Sequence, residues 1–227
     1  MKKIMFNERY GLQQAVLDRK KTMTRRILKC PKKFKGVEDV ELEFHRRLAL
    51  ETYYNCVVVD GNGHELGQLP LPYEIGDIVP IAQSYENILC ENGLPRLACE
   101  PGGFNYDGLP DLYRNPAVIR AMKNSYGYRN KMYVKSELMP HHIRITDLWF
   151  ERLQDISDED CLKEGIRQSV VEYGEKKIVQ WTYFGEKITT WYDSPCDAFA
   201  AMIERICGSG TWAENPLVIA YTFELID

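Results

Sequence analysis

Long apolar stretches are absent from this chain of 227 residues. No segment approaches the ~18 uninterrupted apolar residues of a membrane-spanning helix. The first six residues are followed by polar Asn7, Glu8 and Arg9 rather than by the apolar core of a secretion signal. We therefore expect a soluble, cytoplasmic protein with no membrane partner. Its hydrophobic content of 44% is enough for one sizeable core, which predicts a single domain over residues 1–227.

Cysteine and histidine occur in a pattern that excludes the usual metal sites. The seven cysteines are an odd number and include no Cys-x-x-Cys pair, which is typical of reduced thiols in a cytoplasm. Two of the four histidines are adjacent, His141 and His142, and none has metal-ligand spacing to a cysteine. The glycines form neither a dinucleotide-binding nor a Walker pattern. We expect neither a metal nor a cofactor.

Negative charge is missing from one stretch of an otherwise acidic chain. The net charge of −4 argues against a protein that coats nucleic acid. From Arg19 to Gly36, however, lie nine of the 29 basic residues and none of the 33 acidic ones. A local patch of this kind would admit one phosphate or a short strand and repel bulk polyanion. The alternative is that Lys32 to Lys35 form a solvated loop.

The most informative part of this stretch reads DRKKTMTRR and contains Lys21 and Thr24. A lysine and a threonine at this spacing can act as an amine base and a hydroxyl nucleophile. The adjacent Arg25 and Arg26 present planar groups that suit phosphate or carboxylate. Strand-like alternation over 22–28 would point Lys21 and Thr24 to opposite faces, so this chemistry requires a bend at Lys21. The alternative is a solvated basic turn.

Periodicity and turn signals predict the other elements. Residues 8–18 have the spacing of an amphipathic helix with Asn7 as its N-cap. Residues 86–130 are predicted as a long insertion loop, whose tyrosines 106, 113, 126 and 128 either stack on bases or pin the loop to the body. The remaining predictions are hairpins at 53–69 and about 177–193, strands at 78–85, 142–152 and 217–225, and helices at 117–122, 157–165 and 194–208.

Four motifs, in order along nearly the whole chain, resemble the ASCH domains, and in particular the larger phage-type members of that family. ASCH domains are PUA-like β-barrels that are often found in bacteriophage and prophage genomes. The motifs are the K-T-x-T-R-R stretch of Lys21–Arg26, Gly76-Asp77-Ile78-Val79, Leu153-Gln154-Asp155-Ile156-Ser157 with Lys163-Glu164-Gly165-Ile166, and Trp212-Ala213-Glu214-Asn215-Pro216.

The resemblance implies an α+β fold, namely a PUA-like mixed β-barrel with flanking helices and long insertions. One branch of the family hydrolyses the amide of N4-acetylcytidine with residues that match Lys21, Thr24 and Glu164 here. Lys21 would take a proton from Thr24, whose oxygen attacks the acyl carbon, and Glu164 would relay a proton to the departing amine. Arg26 would hold an oxyanion or a phosphate.

The implied partner is a nucleoside or RNA. Gln83 stands where the family usually has a carboxylate, which puts any chemistry that needs that charge in doubt. Two other functions remain open: a noncatalytic RNA-binding module that uses arginines and the loop tyrosines, and a metal-independent ribonuclease that uses His141 or His142. The ligand-binding candidates are Lys20, Arg25, Arg26, Gln83, Tyr85 and Arg144.

Overall fold

The computed structural model describes residues 2–46, 54–91, 115–173, 176–183 and 190–227. The chain divides into two compact units, each assembled from segments that are distant in sequence. The smaller unit comprises Met1–Phe6, Ile78–Ile143 and Ile226–Asp227, and the larger unit comprises Asn7–Asp77 and Arg144–Leu225. Both contain helices and strands, which confirms the mixed α+β class. The single domain over 1–227 stays a prediction.

The strands are β1 (Met23–Ile27), β2 (Lys33–Phe34), β3 (Val37–Glu38), β4 (Glu41–Arg46), β5 (Tyr54–Val59), β6 (Glu65–Gln68), β7 (Ile78–Pro80), β8 (His142–Arg152), β9 (Ile166–Tyr173), β10 (Lys176–Tyr183) and β11 (Leu217–Leu225). The α-helices are α1 (Leu12–Leu17), α2 (Tyr85–Glu91), α3 (Pro116–Lys123), α4 (Asp158–Lys163), α5 (Pro195–Cys207) and α6 (Thr211–Glu214).

The smaller unit packs α2 and α3 around an apolar core. Helix α3 begins at Asn115, whose side chain accepts a hydrogen bond from the Ala117 amide, with Pro116 in its first turn. Three 3-10 turns follow α3, at Tyr126–Tyr128, Lys131–Tyr133 and Ser136–Leu138. The buried core residues are Ala82, Tyr85, Ile88, Leu89, Ile119, Met122, Val134 and Met139.

The larger unit contains antiparallel sheets. In one of them β1, β11 and β8 are neighbours in that order, and β1 pairs with β11 along its whole length, with Thr24 opposite Tyr221 and Arg25 opposite Ala220. Directly opposed residues share a face, and alternate residues take opposite faces. Thr24 and Arg26 therefore lie on the face of Tyr221, and Arg25 lies on the other. Strands β4, β5 and β6 form a second sheet.

Several predicted elements are confirmed. The hairpin at 53–69 is β5 and β6, the strands at 142–152 and 217–225 are β8 and β11, and the helix at 117–122 is α3. The predicted helix at 194–208 is α5, and its N-cap is Ser194, whose hydroxyl accepts a hydrogen bond from the Asp197 amide at 3.0 Å. Its buried residues include Phe199 and Met202.

Two predicted boundaries are wrong. Helix α1 begins at Leu12 rather than at residue 8, because the Asn7 side chain caps a separate turn at Tyr10 and Gly11 takes a left-handed φ of 65°. The strand at 78–85 ends at Pro80, and α2 begins at Tyr85. Ser84 caps this helix, since its hydroxyl accepts a hydrogen bond from the Asn87 amide at 3.2 Å.

The structure also bears on the predicted loop at 86–130 and the predicted hairpin at about 177–193. Within the described part of 86–130, the chain forms α2, α3 and a 3-10 turn rather than a loop; residues 92–114, with tyrosines 106 and 113, lie outside the described residues. Strand β10 pairs with β9. Trp181, within the predicted hairpin at about 177–193, pairs with Tyr192. The turn itself lies outside the described residues.

Candidate functional site

Lys21 lies in the bend between α1 and β1. Arg19 adopts a left-handed conformation with a φ of 58°, and the backbone amides of Lys20 and Lys21 both donate to the Ala15 carbonyl, at 2.8 and 2.9 Å. The next amide, of Thr22, donates to the carbonyl of Lys163 at 2.9 Å, which ties the bend to the end of α4. Lys21 therefore lies at a bend between helix and strand.

Helix α4 brings Glu164 to this bend. The helix is capped by Ser157, whose hydroxyl accepts a hydrogen bond from the Asp160 amide at 3.1 Å. It ends at Gly165, which has a φ of 106°, a conformation that L side chains rarely adopt. Both boundaries agree with the sequence prediction. Glu164, the last residue before this turn, faces Lys21.

Lys21 and Glu164 form a buried ion pair. The Lys21 ammonium donates to Glu164 Oε2 at 2.6 Å and to the Glu164 carbonyl at 2.7 Å. The two residues are only 2% and 3% exposed. Burial lowers the pKa of Lys21, although the charge of Glu164 opposes this effect. Lys21 thus holds its proton less tightly than an exposed lysine does, which suits a general base.

Arg25 joins three carboxylates on the same side of β1. Its Nε donates to Glu151 at 2.6 Å, and its terminal nitrogens donate to Asp160 at 3.2 Å and Glu164 at 3.3 Å. Burial alone would lower the pKa of Arg25, but the charges of these carboxylates outweigh burial and raise the pKa. We call Lys21, Arg25, Glu151, Asp160 and Glu164 the buried charge cluster. Arg25 was predicted to bind ligand, but its side chain is 1% exposed and holds Glu164 in place instead.

Thr24 and Arg26 belong to the opposite face of β1. Thr24 is buried, and among the described residues no hydrogen bond joins its hydroxyl to Lys21 or Glu164. The strand register places it beside Tyr221, whose ring lies 5.6 Å from that of Tyr73. Burial raises the pKa of Tyr221, so its phenol stays neutral. Half-buried Arg26 follows on this face. The structure therefore pairs Lys21 with Glu164 but not with Thr24.

The other predicted ligand-binding residues are not members of the buried charge cluster. Lys20 and Arg144 are exposed in the larger unit, and they pair with Asp18 at 3.4 Å and Glu224 at 3.0 Å. Gln83 and Tyr85 belong to the smaller unit and are buried there. The backbone amide of Gln83 donates to Met139 Sδ at 3.3 Å, and the Tyr85 hydroxyl accepts a hydrogen bond from the Lys135 amide at 2.9 Å.

Sequence reasoning missed Glu151, Asp160, Tyr73 and Tyr221. Asp160 lies in the first turn of α4, where an acidic residue is favourable beside the positive helix end, so its position in the sequence gives no sign of Arg25. Glu151 follows Trp149 and Phe150 in β8 and carries no local signal of its partner. The ribonuclease candidate His142 lies in the smaller unit, 2.7 Å from Asp227, and its predicted role stays a prediction.

Comparisons with protein-family models, with curated proteins and with solved structures found no match. Within the described residues, no group of three or more His, Cys, Asp or Glu side chains is arranged to hold a metal ion. In the buried charge cluster the cations among the carboxylates are Arg25 and Lys21. The same part of the chain contains no helix with both the length and the apolarity needed to cross a bilayer.

Proposed function

We propose that the larger unit hydrolyses the amide of an N-acylated nucleoside, with N4-acylated cytidine as the first candidate. The observation that carries this proposal is the buried pair of Lys21 and Glu164, with 2.6 Å between Nζ and Oε2. A buried ion pair contributes little to stability, because the desolvation of both charges offsets their attraction. Perturbed titrating groups of this kind are concentrated at functional sites.

The proposal rests also on the resemblance to ASCH domains, which matches the same two residues together with Thr24. The mixed α+β class and the strand order β1, β11, β8, with β1 antiparallel to β11, are compatible with the PUA-like barrel of that family. The resemblance does not imply a role for Arg25, but this residue donates to Oε1 of Glu164 while Lys21 donates to Oε2. Arg25 is thus a positioning residue.

In the proposed reaction, Lys21 first passes a proton to Glu164 within the pair. The neutral Lys21 amine then removes the proton of the Thr24 hydroxyl as that oxygen attacks the acyl carbon. The carbon–nitrogen bond breaks, and Glu164 passes a proton to the departing amine. Water then attacks the acyl-threonine, which releases a carboxylic acid and restores the hydroxyl. Arg26, on the face of Thr24, stabilises the oxyanion. The Thr24 step rests on the resemblance, since its hydroxyl makes no bond to Lys21.

The test is release of cytidine and acetate from N4-acetylcytidine by the purified protein, followed by chromatography. We expect Lys21→Met and Glu164→Gln to lower kcat by at least about 100-fold, the usual contribution of acid–base catalysis. Thr24→Ser should keep activity and Thr24→Val should abolish it. The matched control is Lys33→Met, because Lys33 is an exposed lysine in the β2–β3 hairpin and pairs with Glu38 at 3.3 Å.

Each outcome distinguishes a part of the proposal. A folded wild-type protein that releases no cytidine would overturn the assignment of N4-acylated cytidine as the substrate. Full activity in Thr24→Val, with none in Lys21→Met, would show that Thr24 is not the nucleophile. A water molecule activated at the same pair would then take that role. Equal loss in Lys21→Met and Lys33→Met would show that positive charge, not the buried pair, supports the activity.

A further inference from the structure

The smaller unit presents two tyrosine rings to solvent. Tyr126 is 87% exposed and Tyr133 is 63% exposed, and their ring centroids lie 5.9 Å apart at an interplanar angle of 49°. A ring that is so exposed buries too little apolar surface to stabilise the fold. The neighbouring Tyr128 behaves differently, since it packs against the core of the unit. Of these tyrosines, therefore, Tyr128 pins the chain, and Tyr126 and Tyr133 do not.

Tyr85 packs against the turn that carries Tyr126 and bonds to the segment that follows Tyr133. At Gly127 a Cβ would lie 2.6 Å from the Tyr85 ring and 3.1 Å from the Tyr133 carbonyl, so the turn Tyr126–Tyr128 rests directly on that ring. The Tyr85 hydroxyl accepts a hydrogen bond from the Lys135 amide at 2.9 Å. Tyr85 thus supports the 3-10 turns that carry both rings. A ligand that stacks on them does not have to order this part of the chain.

The Lys3 side chain fixes the second of these turns from the N-terminal segment. Its ammonium donates to the carbonyls of Met132, at 2.8 Å, and Val134, at 2.6 Å. The Lys131 side chain donates in turn to the carbonyl of Phe6. The backbone on both sides of Tyr133 is therefore anchored by side chains.

The segment around the rings is strongly basic. Between Asp111 and Glu137 the sequence has six basic residues and no acidic one, although the whole chain has a net charge of −4. Arg129 and Lys135 are exposed. They follow Tyr126 by three residues and Tyr133 by two, so their Cα atoms lie within about 11 and 7 Å of those of the tyrosines. Exposed cations and exposed tyrosines are therefore close neighbours along this segment.

We propose that Tyr126 and Tyr133, with Arg129 and Lys135, bind a single-stranded nucleic acid. Unpaired bases stack on exposed aromatic rings, and the cations neutralise the phosphates. A duplex does not offer its base faces, so the tyrosines select single strands. A protein partner could use exposed tyrosines too, but six cations without an acidic residue favour a polyanion. This site is independent of the proposed hydrolase.

The test is fluorescence anisotropy with labelled oligonucleotides of about 12 nucleotides, within the usual length of such sites. Single-stranded RNA, single-stranded DNA and a duplex are compared at salt concentrations from about 50 to 200 mM. We expect micromolar binding of single strands, weaker binding of the duplex, and a preference between the RNA and DNA arms that identifies the source of the ligand.

Variants separate stacking from charge. Tyr126→Ala and Tyr133→Ala should each weaken binding by about tenfold, without a change in its salt dependence, whereas the corresponding Phe variants should bind like the wild type. Arg129→Gln should weaken binding and lower the slope of log K against log salt by about 0.7. The matched control is Arg9→Gln, an exposed arginine of the larger unit, which should change neither quantity.

Three results would overturn the proposal: no binding of single strands, equal binding of the duplex, or wild-type binding by the double variant Tyr126→Ala/Tyr133→Ala. Release of cytidine from N4-acetylcytidine, measured on the same double variant, should equal that of the wild type. Failure of the nucleic-acid site is therefore distinguishable from failure of the hydrolase.

Discussion

Replacement of Arg25 by methionine tests whether this residue holds the buried charge cluster together. The substitution keeps an apolar side chain in place and removes a cation from three carboxylates. Glu164 would still pair with Lys21 at 2.6 Å and Asp160 with Lys163 at 3.2 Å. Glu151 would keep only the Trp149 indole as a donor, at 2.8 Å. Glu151 is therefore the carboxylate that loses its only cationic partner among the described residues.

The expected loss of stability follows from the contacts that remain. Removal of one partner from a buried ion pair costs about 3 to 5 kcal/mol. Since two of the three carboxylates keep a cation, we expect the lower end, about 3 kcal/mol. At a denaturant slope of about 3 kcal/mol/M, the urea midpoint should fall by about 1 M. Glu151→Gln in the same background should recover part of the loss, because it removes the unpaired charge.

Tryptophan fluorescence is the appropriate assay, because all four tryptophans, at 149, 181, 191 and 212, belong to the larger unit. The control is Arg144→Met, which breaks the exposed pair of Arg144 with Glu224 and should cost less than about 1 kcal/mol. An Arg25→Met protein that unfolds at the same urea concentration as Arg144→Met would refute the reasoning.

Three further predictions concern single residues. Gly165→Ala should lower the free energy of unfolding by about 1 to 2 kcal/mol, because its φ of 106° strains an L residue. Gly61 has open space around it, so Gly61→Ala should change this free energy little. Equal urea midpoints of the two variants would contradict this prediction. Burial lowers the pKa of Lys21 from its ordinary value of 10.5, so the unfolded chain binds this proton more tightly than the folded protein does. The free energy of unfolding should therefore rise with pH up to about 10.5. Lys21→Met should lack that rise in urea midpoints measured between pH 7 and pH 10, and an unchanged pH dependence would count against the burial effect. Burial, with a smaller contribution from Cys30, raises the pKa of Cys56 to about 11, so mass spectrometry should find Cys56 alkylated by iodoacetamide at neutral pH only after unfolding in urea. Rapid labelling of native Cys56 would contradict it.

Elements with local capping signals could be predicted from the sequence. Ser157 and Gly165 bound α4, and Ser194 with Pro195 begins α5, because caps and helix breakers act on neighbouring backbone groups. The sequence also singled out Lys21 and Glu164, through a family resemblance rather than through periodicity. The structure places Lys21 Nζ 2.6 Å from Glu164 Oε2, while the catalytic roles of the two residues and the implied function stay proposals.

The rest of the site depends on contacts between distant residues. Arg25 bonds to Glu151, Asp160 and Glu164, which are 126, 135 and 139 residues away along the chain. Alternation along β1 gives the face of Arg25 but not what covers that face. The same limit applies to Tyr133, whose exposure depends on the turn that Tyr85 supports. Long-range packing, not local propensity, decides both cases.

The most direct test of the account is to measure stability and turnover together on the double variant Lys21→Met/Glu164→Leu. Replacement of a buried ion pair by apolar side chains of similar volume is often neutral or stabilising. We predict a urea midpoint at or above that of the wild type, with no detectable release of cytidine from N4-acetylcytidine by a wild-type-like folded protein. Wild-type turnover in this variant would contradict the claim that the buried pair carries the chemistry.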